Sequence, residues 1–336
     1  MSENSSTQIL LASRPTGWPT DENFEVRTVQ LPELSEGQVR VRNEFISVDP
    51  YMRGRMSAAR SYVAPYEIGS QIAGGAVGRV IASAAAELPV GTLVTHQHGW
   101  SDTVQDTADS FKPVPEIPGV PNSLRLHMMG MTGLTAWVGL KAIAQMKEGE
   151  TVFISGAAGA VGTAAGQIAR LLGAKRVIGS AGSAQKVALL TEKYGYDAAF
   201  NYKDGDVTGQ LEALAPEGID VFFDNVGGEH LEAALAAFNN GGRAALCGAI
   251  SGYNVTEKAS GPINMANLIT RGLKLEGFTL ANYLEHAPAF GQQMGEWFAA
   301  GQIAYDETIV DGIENTVEAF IQMMQGANTG KMLVRI

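Results

Sequence analysis

The sequence predicts an α/β fold in which a doubly wound parallel sheet is joined to a smaller, mostly β domain. Three observations carry this prediction. The chain has 336 residues, more than one hydrophobic core usually accommodates. From Thr151 onward, short apolar runs alternate with helical patterns, whereas the first part of the chain has the residue-by-residue alternation of half-buried strands. A glycine-rich turn follows the first of the apolar runs.

The composition is that of an ordinary globular protein and excludes several classes of function. Hydrophobic residues make up 45% of the chain, and the formal net charge of −11 argues against a nucleic-acid surface. Cys247 is the only cysteine, which excludes an internal disulfide and a multi-cysteine zinc site. We find no apolar run of about 18 residues and no secretory leader. We therefore expect a cytoplasmic protein without nucleic-acid or membrane partners.

The first domain is predicted from strand patterns at both ends of the chain. Residues Gln38–Arg42 change face at every position, and further strand candidates lie at Ile72–Ala82 and Gly91–Thr95. The tail Gly330–Ile336 again has a strand pattern, and we expect it to return to the first domain. The predicted mostly β domain comprises residues 1–129 and 302–336.

Residues 130–301 have the alternation of strands and helices that is typical of a doubly wound sheet. Helical patterns such as Val161–Leu172, Ser183–Tyr194 and Gly228–Phe238 separate most of the strand candidates. In such sheets, ligands bind at the carboxyl ends of the strands, beside the first strand. The strand candidates are Thr151–Ser155, Arg176–Gly179, Ala198–Phe200, Ile219–Asp224, Arg243–Cys247 and Leu275–Thr279.

The turn after the first of these strands, Gly156–Gly162, has the features of a dinucleotide-binding loop. Gly159 lets a pyrophosphate approach the backbone, and Gly162 lets the following helix pack closely on its strand. The amides and dipole of that helix then hold the anion. The pattern AxGxxG is also typical of a structural turn, but its place after the first parallel strand favours a cofactor loop.

The stretch after this loop indicates which dinucleotide binds. NAD-binding folds place a carboxylate about 20 residues after the loop, where it binds the ribose 2′-hydroxyl. Here no Asp or Glu lies between Arg176 and Glu192. Hydroxyl side chains and Lys186 occupy this stretch instead, and they suit a 2′-phosphate, so the sequence predicts NADPH/NADP+. The alternative interpretation of Lys186 is an exposed surface lysine.

Motifs spread in order over nearly the whole chain resemble those of the zinc-independent medium-chain dehydrogenase/reductases. The resemblance is to the branch that contains leukotriene hydroxydehydrogenase, prostaglandin reductase and bacterial curcumin reductase. The two most specific motifs are DPYMRGRM from Asp49 and DNVGG from Asp224. The others are MTGLTA from Met131, AAGAVG from Ala157, FNY from Phe200, CGAIS from Cys247, GF from Gly277 and GK from Gly330.

The resemblance implies a Rossmann domain, a GroES-like catalytic domain with the active site between the two, and a homodimer. It also implies an NADPH-dependent reductase of the carbon-carbon double bond of α,β-unsaturated ketones and aldehydes, with an apolar enone or enal as substrate. Hydride would pass to the β-carbon, Tyr253 and a ribose hydroxyl of the cofactor would stabilise the enolate, and the enolate would then be protonated. Tyr51 would help to wall the substrate pocket, and no metal is implied. The implied cofactor contacts are Gly159, Ala160, Val161, Gly162, Lys186, Tyr202, Asn225, Cys247, Phe278, Leu280 and Asn328.

Other interpretations of the function remain open from the sequence. A quinone reductase would share the fold and the cofactor, and a non-catalytic NADPH-binding sensor would need only the cofactor site. Tyr253 could also be a loop aromatic with a solvated tip, Tyr202 a buried loop tyrosine, and Asn225 the cap of a turn.

Two further features have an ordinary structural interpretation. His96 and His98 are spaced so that both lie on one face of a strand, but no pattern of further metal ligands accompanies them. We expect an ordinary surface or cleft pair. Cys247 is expected to be a small residue lining the cleft, since no histidine lies near it in the sequence to activate its thiol.

Overall fold

The computed structural model describes residues 4–257 and 260–336, which form two compact units. The mostly β unit consists of the chain up to residue 127 together with residues 307–328 and 332–336. The parallel-sheet unit consists of residues 128–306 and 329–331. The domain ranges expected from the sequence, with boundaries near residues 130 and 302, stay a prediction.

The strands expected from the sequence form, with bounds that shift by a few residues. The strand expected at Arg243–Cys247 begins earlier, at Phe238, and the strand expected at Ile72–Ala82 begins as a regular strand only at Ala76. Residues 71–74 make isolated bridges to Leu10 and His98 instead of a continuous ladder. In chain order the strands are β1 (Ser5–Leu11), β2 (Phe24–Gln30), β3 (Gln38–Ser47), β4 (Ala76–Ser83), β5 (Leu93–His96), β6 (Thr103–Thr107), β7 (Lys112–Pro113), β8 (Thr151–Ile154), β9 (Arg176–Ala181), β10 (Ala198–Asn201), β11 (Ile219–Asp224), β12 (Phe238–Leu246), β13 (Lys274–Gly277), β14 (Glu307–Asp311) and β15 (Lys331–Arg335).

The three helices expected from the sequence are present as α3, α4 and α6. Ser183 caps α4 by accepting a hydrogen bond from the Lys186 amide, and Asp206 caps α5 in the same way through Gly209. The helices are α1 (Tyr51–Arg55), α2 (Met131–Val138), α3 (Ala160–Leu171), α4 (Ala184–Glu192), α5 (Val207–Leu214), α6 (Glu229–Ala237), α7 (Asn267–Thr270), α8 (Ala287–Ala299) and α9 (Thr316–Met324).

The parallel-sheet unit is a doubly wound sheet. Its strand order is β10-β9-β8-β11-β12-β13, and the pairings within it are parallel. The order reverses beside β8, the first strand of the unit, so the carboxyl end of β8 lies at the topological switch point where such sheets bind ligands. This is the Rossmann arrangement that the sequence predicts.

The core of this unit is aromatic on one face of the sheet. Phe153 on β8 stacks against Phe222 on β11 at a ring-centroid distance of 5.0 Å and against Phe200 on β10 at 5.9 Å. All three side chains are buried, and the apolar residues of α5 and α6 cover them. Burial of this apolar area stabilises the packing of the sheet against these helices.

The mostly β unit is built on a seven-stranded sheet. Its order is β14-β15-β3-β4-β5-β7, with β6 paired to β3, and the β15 residues of this unit run antiparallel to β3. Alternate side chains of β3, Val39 and Val41, are fully buried in a cluster with Val80 and Val94. The residue-by-residue alternation of β3 therefore places one face of the strand in the core.

None of the helices in the described part of the chain is long and apolar enough to cross a membrane.

Candidate functional site

The N terminus of α3 lies at the carboxyl end of β8 and is open to an anion. Gly159 is the N-cap residue, and within the described residues no side chain accepts a hydrogen bond there and no acid lies in the first turn. The first-turn amides of a helix, here those of Ala160, Val161 and Gly162, have no intrahelical acceptor. The helix dipole adds positive potential at the same place. This turn can therefore bind a phosphate group.

Two glycines of the loop have different physical roles. A Cβ at Gly162 would lie 2.6 Å from Cα of Ala157, so only glycine lets α3 pack this closely on the turn. A Cβ at Gly159 would meet only the carbonyl oxygen of Gly156, at 3.3 Å. The internal packing therefore requires Gly162 far more than Gly159. Binding of a pyrophosphate would explain the glycine at position 159, since a Cβ there would hinder the approach of the phosphate groups to the backbone.

Lys186 and Tyr202 lie at the carboxyl ends of the two neighbouring strands. Lys186 is in the first turn of α4, after β9, and Tyr202 follows β10. The Tyr202 amide donates to the carbonyl of Ala181, and a Cβ at Gly182 would lie 3.0 Å from the Tyr202 hydroxyl. The Tyr202 ring therefore covers the turn that leads into α4.

Two lysines, Lys186 and Lys203, lie at this end of the sheet in a protein of net charge −11. Burial lowers the pKa of Lys186, and the positive charge of Lys203 lowers it further. Lys203 also lies over the Tyr202 ring, 5.8 Å from its centroid. Lys186 lies at a helix N terminus, which disfavours cations, and Lys203 repels it, so a bound dianion would stabilise both. A ribose 2′-phosphate carries the negative charge that would offset these two lysines.

His230 on α6 packs against the Tyr202 ring. No role was predicted for it from the sequence. The two rings are 5.3 Å apart in an edge-to-face arrangement, and His230 also stacks on Phe153. Burial lowers the pKa of His230 to about 4, so the ring is neutral at neutral pH. Its place two residues after the DNVGG motif was the available signal, but only the tertiary structure brings its ring into contact with Tyr202.

The third group of expected contacts lies at the carboxyl ends of β11 and β12. The Asn225 side chain donates to the carbonyl of Ser155 at 2.8 Å, and the Asn225 amide donates to the Ser155 hydroxyl at 2.8 Å. That hydroxyl donates in turn to Asp224, whose carboxylate also accepts two amides of the following turn. Ser155 and Asp224 therefore orient Asn225, and sequence reasoning assigned a role to neither.

Cys247 and Tyr253 are brought together next to Asn225. The Cys247 amide donates to the carbonyl of Asp224, and the Ala249 amide donates to the Tyr253 hydroxyl at 3.4 Å. Burial raises the pKa of the Cys247 thiol to about 12, so the thiol stays protonated and is a poor nucleophile at neutral pH. Burial also raises the pKa of Tyr253, and its hydroxyl keeps a proton that it can donate.

Phe278 and Leu280 are the last of the expected cofactor contacts on the parallel-sheet unit. Phe278 follows β13 directly, donates its amide to the carbonyl of Leu246, and packs edge-on against Phe223. Leu280 begins the short 3-10 helix that follows. The structure thus places the expected cofactor contacts of this unit after the carboxyl ends of six successive strands, along one edge of one sheet.

Tyr51 and Asn328 belong to the mostly β unit. Tyr51 is the first residue of α1, and burial together with the negative charge of Asp49 raises its pKa above the usual range. Asn328 lies between α9 and β15. Their assignment as functional residues stays a prediction.

Two loops whose conformation the sequence does not define lie near these residues in the chain. Arg55 holds the 57–67 loop by donating to the carbonyl of Ala64 and by stacking over the Tyr66 ring, 4.1 Å from its centroid. Arg14 donates to the carbonyls of Met56 and Tyr66. In the 251–262 loop, a 3-10 turn at Ile250–Gly252 precedes Tyr253, and residues 258–259 lie outside the described residues.

His96 and His98 have ordinary hydrogen-bonding roles. His96 is buried, with Nε2 2.8 Å from Oδ1 of Asn43 and with Nδ1 accepting the His98 amide. This pattern selects the neutral tautomer that is protonated at Nε2. Nε2 of His98 lies 3.1 Å from a carboxylate oxygen of Asp106.

Two protein families match the chain, one within each unit. The family described as N-terminal domain of oxidoreductase matches residues 7–114. The family described as Zinc-binding dehydrogenase matches residues 160–298. The second description implies zinc, but the residues do not fit a metal site: no group of three His, Cys, Asp or Glu in the described ranges could hold a metal ion, and zinc needs at least three such ligands.

The chain is also similar over almost its whole length to named reductases. It is 39% identical over 332 residues to the NADPH-dependent curcumin reductase of Escherichia coli (strain K12). The aligned residues cover 97% of this chain and 96% of that protein. It is 38% identical over 342 residues to the 2-alkenal reductase (NADP(+)-dependent) of Nicotiana tabacum, with coverages of 99% and 98%. Among solved structures, it is similar to CurA from Vibrio vulnificus in complex with NADPH, with a TM-score of 0.91, 40% identity and 98% coverage of both chains.

The positive end of the sheet predicts how Lys186 affects the choice of dinucleotide. We expect Lys186→Ala to weaken NADPH binding about tenfold and to leave NADH binding nearly unchanged, because only NADPH has the phosphate that a charge-assisted contact would hold. Dissociation constants from quenching of protein fluorescence measure both ligands.

The matched control is Lys175→Ala, which removes an exposed lysine of the same unit that pairs with Glu217. It should change neither dissociation constant. An unchanged ratio of the NADPH and NADH affinities in Lys186→Ala would remove Lys186 from the phosphate site.

Proposed function

The chain belongs to the medium-chain dehydrogenase/reductase family, in its curcumin reductase-like branch, and we propose that it reduces the carbon-carbon double bond of α,β-unsaturated ketones and aldehydes with NADPH. The observation that carries the proposal is the carboxyl edge of the parallel sheet, which presents a helix N terminus without a side-chain cap, Lys186 after β9, and the Tyr253 hydroxyl in the turn after β12. The named activities of the curcumin and 2-alkenal reductases support the same substrate class.

In this proposal the residues along the carboxyl edge of the sheet would hold the cofactor. Lys186 and Tyr202 would hold the 2′-phosphate, and the amides of Gly159–Gly162 would hold the pyrophosphate. Asn225, fixed by Ser155, would orient the nicotinamide end. Cys247, Phe278, Leu280 and Asn328 are its further proposed contacts, as the resemblance implies.

NADPH supplies the hydride when bound, and the β-carbon of the substrate accepts it. The task left to the protein is to stabilise the negative charge that then develops on the carbonyl oxygen. The hydroxyl of Tyr253 accepts the Ala249 amide through one lone pair, so its own proton can be donated to that oxygen. The enolate then takes a proton at its α-carbon, from the Tyr253 hydroxyl or from water, and becomes the saturated ketone or aldehyde. Tyr51 remains a proposed substrate contact on the strength of the resemblance.

The proposal is tested by consumption of NADPH across a panel of enals, enones and quinones, with identification of each product. We expect oxidation of NADPH with medium-chain enones and a saturated carbonyl compound as product. A quinol or semiquinone as the main product would favour the alternative, a quinone reductase. NADPH binding without turnover of any panel member would indicate a sensor and contradict the proposal.

The role of Tyr253 predicts a specific kinetic defect. We expect Tyr253→Phe to lower kcat for an enone about 100-fold, since loss of one donor to a developing oxyanion has effects of about this size. The dissociation constant of NADPH should stay within about twofold. Because burial raises the Tyr253 pKa above its ordinary value of about 10, kcat should also show no loss from ionisation of this group below about pH 10.

Tyr305→Phe is the control for removal of a tyrosine hydroxyl. The Tyr305 ring packs on Phe298, so the phenylalanine ring should keep the same place. It should leave kcat unchanged. If Tyr253→Phe keeps full activity, the proposal that this residue polarises the substrate carbonyl is wrong.

We further propose a homodimer that forms through the edge of the parallel sheet. Strand β13 ends the sheet order, and edge strands with unpaired amides and carbonyls readily pair with another chain. The segment that flanks β13 in the sequence exposes large apolar side chains: Ile263, Met265, Ile269 and Leu284.

Light scattering after gel filtration should give twice the mass of one chain, and Ile269→Lys should shift the population toward the monomer. A wild-type monomer at all concentrations would contradict this arrangement.

The proposed location is the cytoplasm, where NADPH is available and where the single cysteine, Cys247, would stay reduced. Detection of the protein in fractionated cells tests this location.

A further inference from the structure

We propose that Asp306 is a positioning residue for the pyrophosphate loop, on which it acts through Gly330. Asp306 lies at the end of the parallel-sheet unit, far along the chain from the loop, and carries no expected contact to a ligand. The inference rests on the proposed function in one respect, namely that the loop at Gly159 binds a pyrophosphate.

The first step is the contact between the loop and the segment at Gly330. Gly159 forms a parallel β-bridge with Gly330, and the Gly330 amide donates to the carbonyl of Ala158 at 2.9 Å. The N-cap residue of α3 is thus held from outside its own turn. Any shift of Gly330 would move the backbone that presents the first-turn amides.

The second step is the support that Asp306 gives to Gly330. The Lys331 amide donates to the carbonyl of Asp306 at 3.1 Å. Gly330 has a φ of 64°, and a Cβ there would overlap that same carbonyl oxygen. The two backbones therefore lie in direct contact, and the position of Asp306 determines the position of Gly330.

The third step is the anchoring of the Asp306 side chain. The Tyr194 hydroxyl donates to one carboxylate oxygen at 2.5 Å, and the Lys193 ammonium donates to the other at 2.6 Å. Tyr194 is 1% exposed, so without Asp306 its hydroxyl would lose a buried hydrogen bond. Lys193 also donates to the carbonyl of Tyr305. Both donors follow directly after α4, which is part of the rigid scaffold of the sheet.

A second attachment holds the same segment to α3 itself. The Gln167 side chain donates to the carbonyl of Ala304 at 2.9 Å and accepts its amide at 2.7 Å. Gln167 is buried, and both ends of its amide group are used on one backbone residue. The segment 304–306 therefore bridges α3 and the end of α4, and its last residue supports Gly330 against the loop.

The arrangement gives Asp306 a ligand-specific consequence that general destabilisation would not have. Its loss should loosen the loop at Gly159, and binding would then require the loop to be ordered again. Ligands that contain the pyrophosphate should lose affinity, whether or not they have a 2′-phosphate. A ligand with only the 2′-phosphate, bound through Lys186, should not.

The experiment compares Asp306→Ala with wild type by titration calorimetry, with NADPH, NADH and adenosine 2′-phosphate as probes. We expect the dissociation constants of NADPH and NADH to rise together, by about tenfold, because the loosened loop would have to be ordered on binding. The dissociation constant of adenosine 2′-phosphate should stay within about twofold. Tyr194→Phe keeps the buried ring, removes one of the two bonds, and should show the same pattern with a smaller rise.

Glu217→Ala is the matched control, since it removes an exposed acid of the same unit that pairs with Lys175. It should leave all three constants unchanged. Unchanged NADPH binding in both Asp306→Ala and Tyr194→Phe overturns the inference, and so does an equal loss for adenosine 2′-phosphate, which would indicate general destabilisation. Failure of the wild-type protein to bind NADPH would instead overturn the proposed function.

Discussion

The close packing of α3 on the turn after β8 is the constraint on which the rest of the site depends. Gly162 lies so near Ala157 that no side chain fits between them, and the helix therefore begins directly at the switch point of the sheet. Because no acid lies in its first turn, the positive end of the helix stays available to an anion. All other expected cofactor contacts of this unit are arranged along the edge that this helix terminus defines.

Electrostatics divide that edge into two parts with different chemistry. At β9 and β10, Lys186 and Lys203 form a positive site in a protein whose total charge is strongly negative. At β11 and β12, burial keeps the Cys247 thiol and the Tyr253 hydroxyl protonated. The first part suits the binding of a phosphate, and the second suits hydrogen-bond donation to an oxygen that becomes negative. A reductase that uses NADPH needs both.

Hydrogen-bonded carboxylates hold the two parts in place. Asp224 accepts hydrogen bonds from Ser155 and from two amides, and so fixes the turn that carries Asn225. Asp306 accepts from Tyr194 and Lys193 at the other side of the loop. Such carboxylates touch no expected ligand atom, yet they define where the contacting groups lie. Positioning groups of this kind are seldom visible in a single sequence.

The sequence by itself determined the fold class and the phosphorylated dinucleotide, and it predicted the cofactor loop, because these depend on local periodicity, on glycine at short spacing and on the absence of an acid between Arg176 and Glu192. The family motifs added the substrate class. Only the tertiary structure decided which residues support the site, since Ser155 contacts Asn225, and the Asp306 carbonyl accepts the Lys331 amide beside Gly330, between segments far apart in the chain. His230 beneath Tyr202 is the same case. Local rules predict what a segment becomes, whereas the contacts between segments follow from packing that no local pattern encodes.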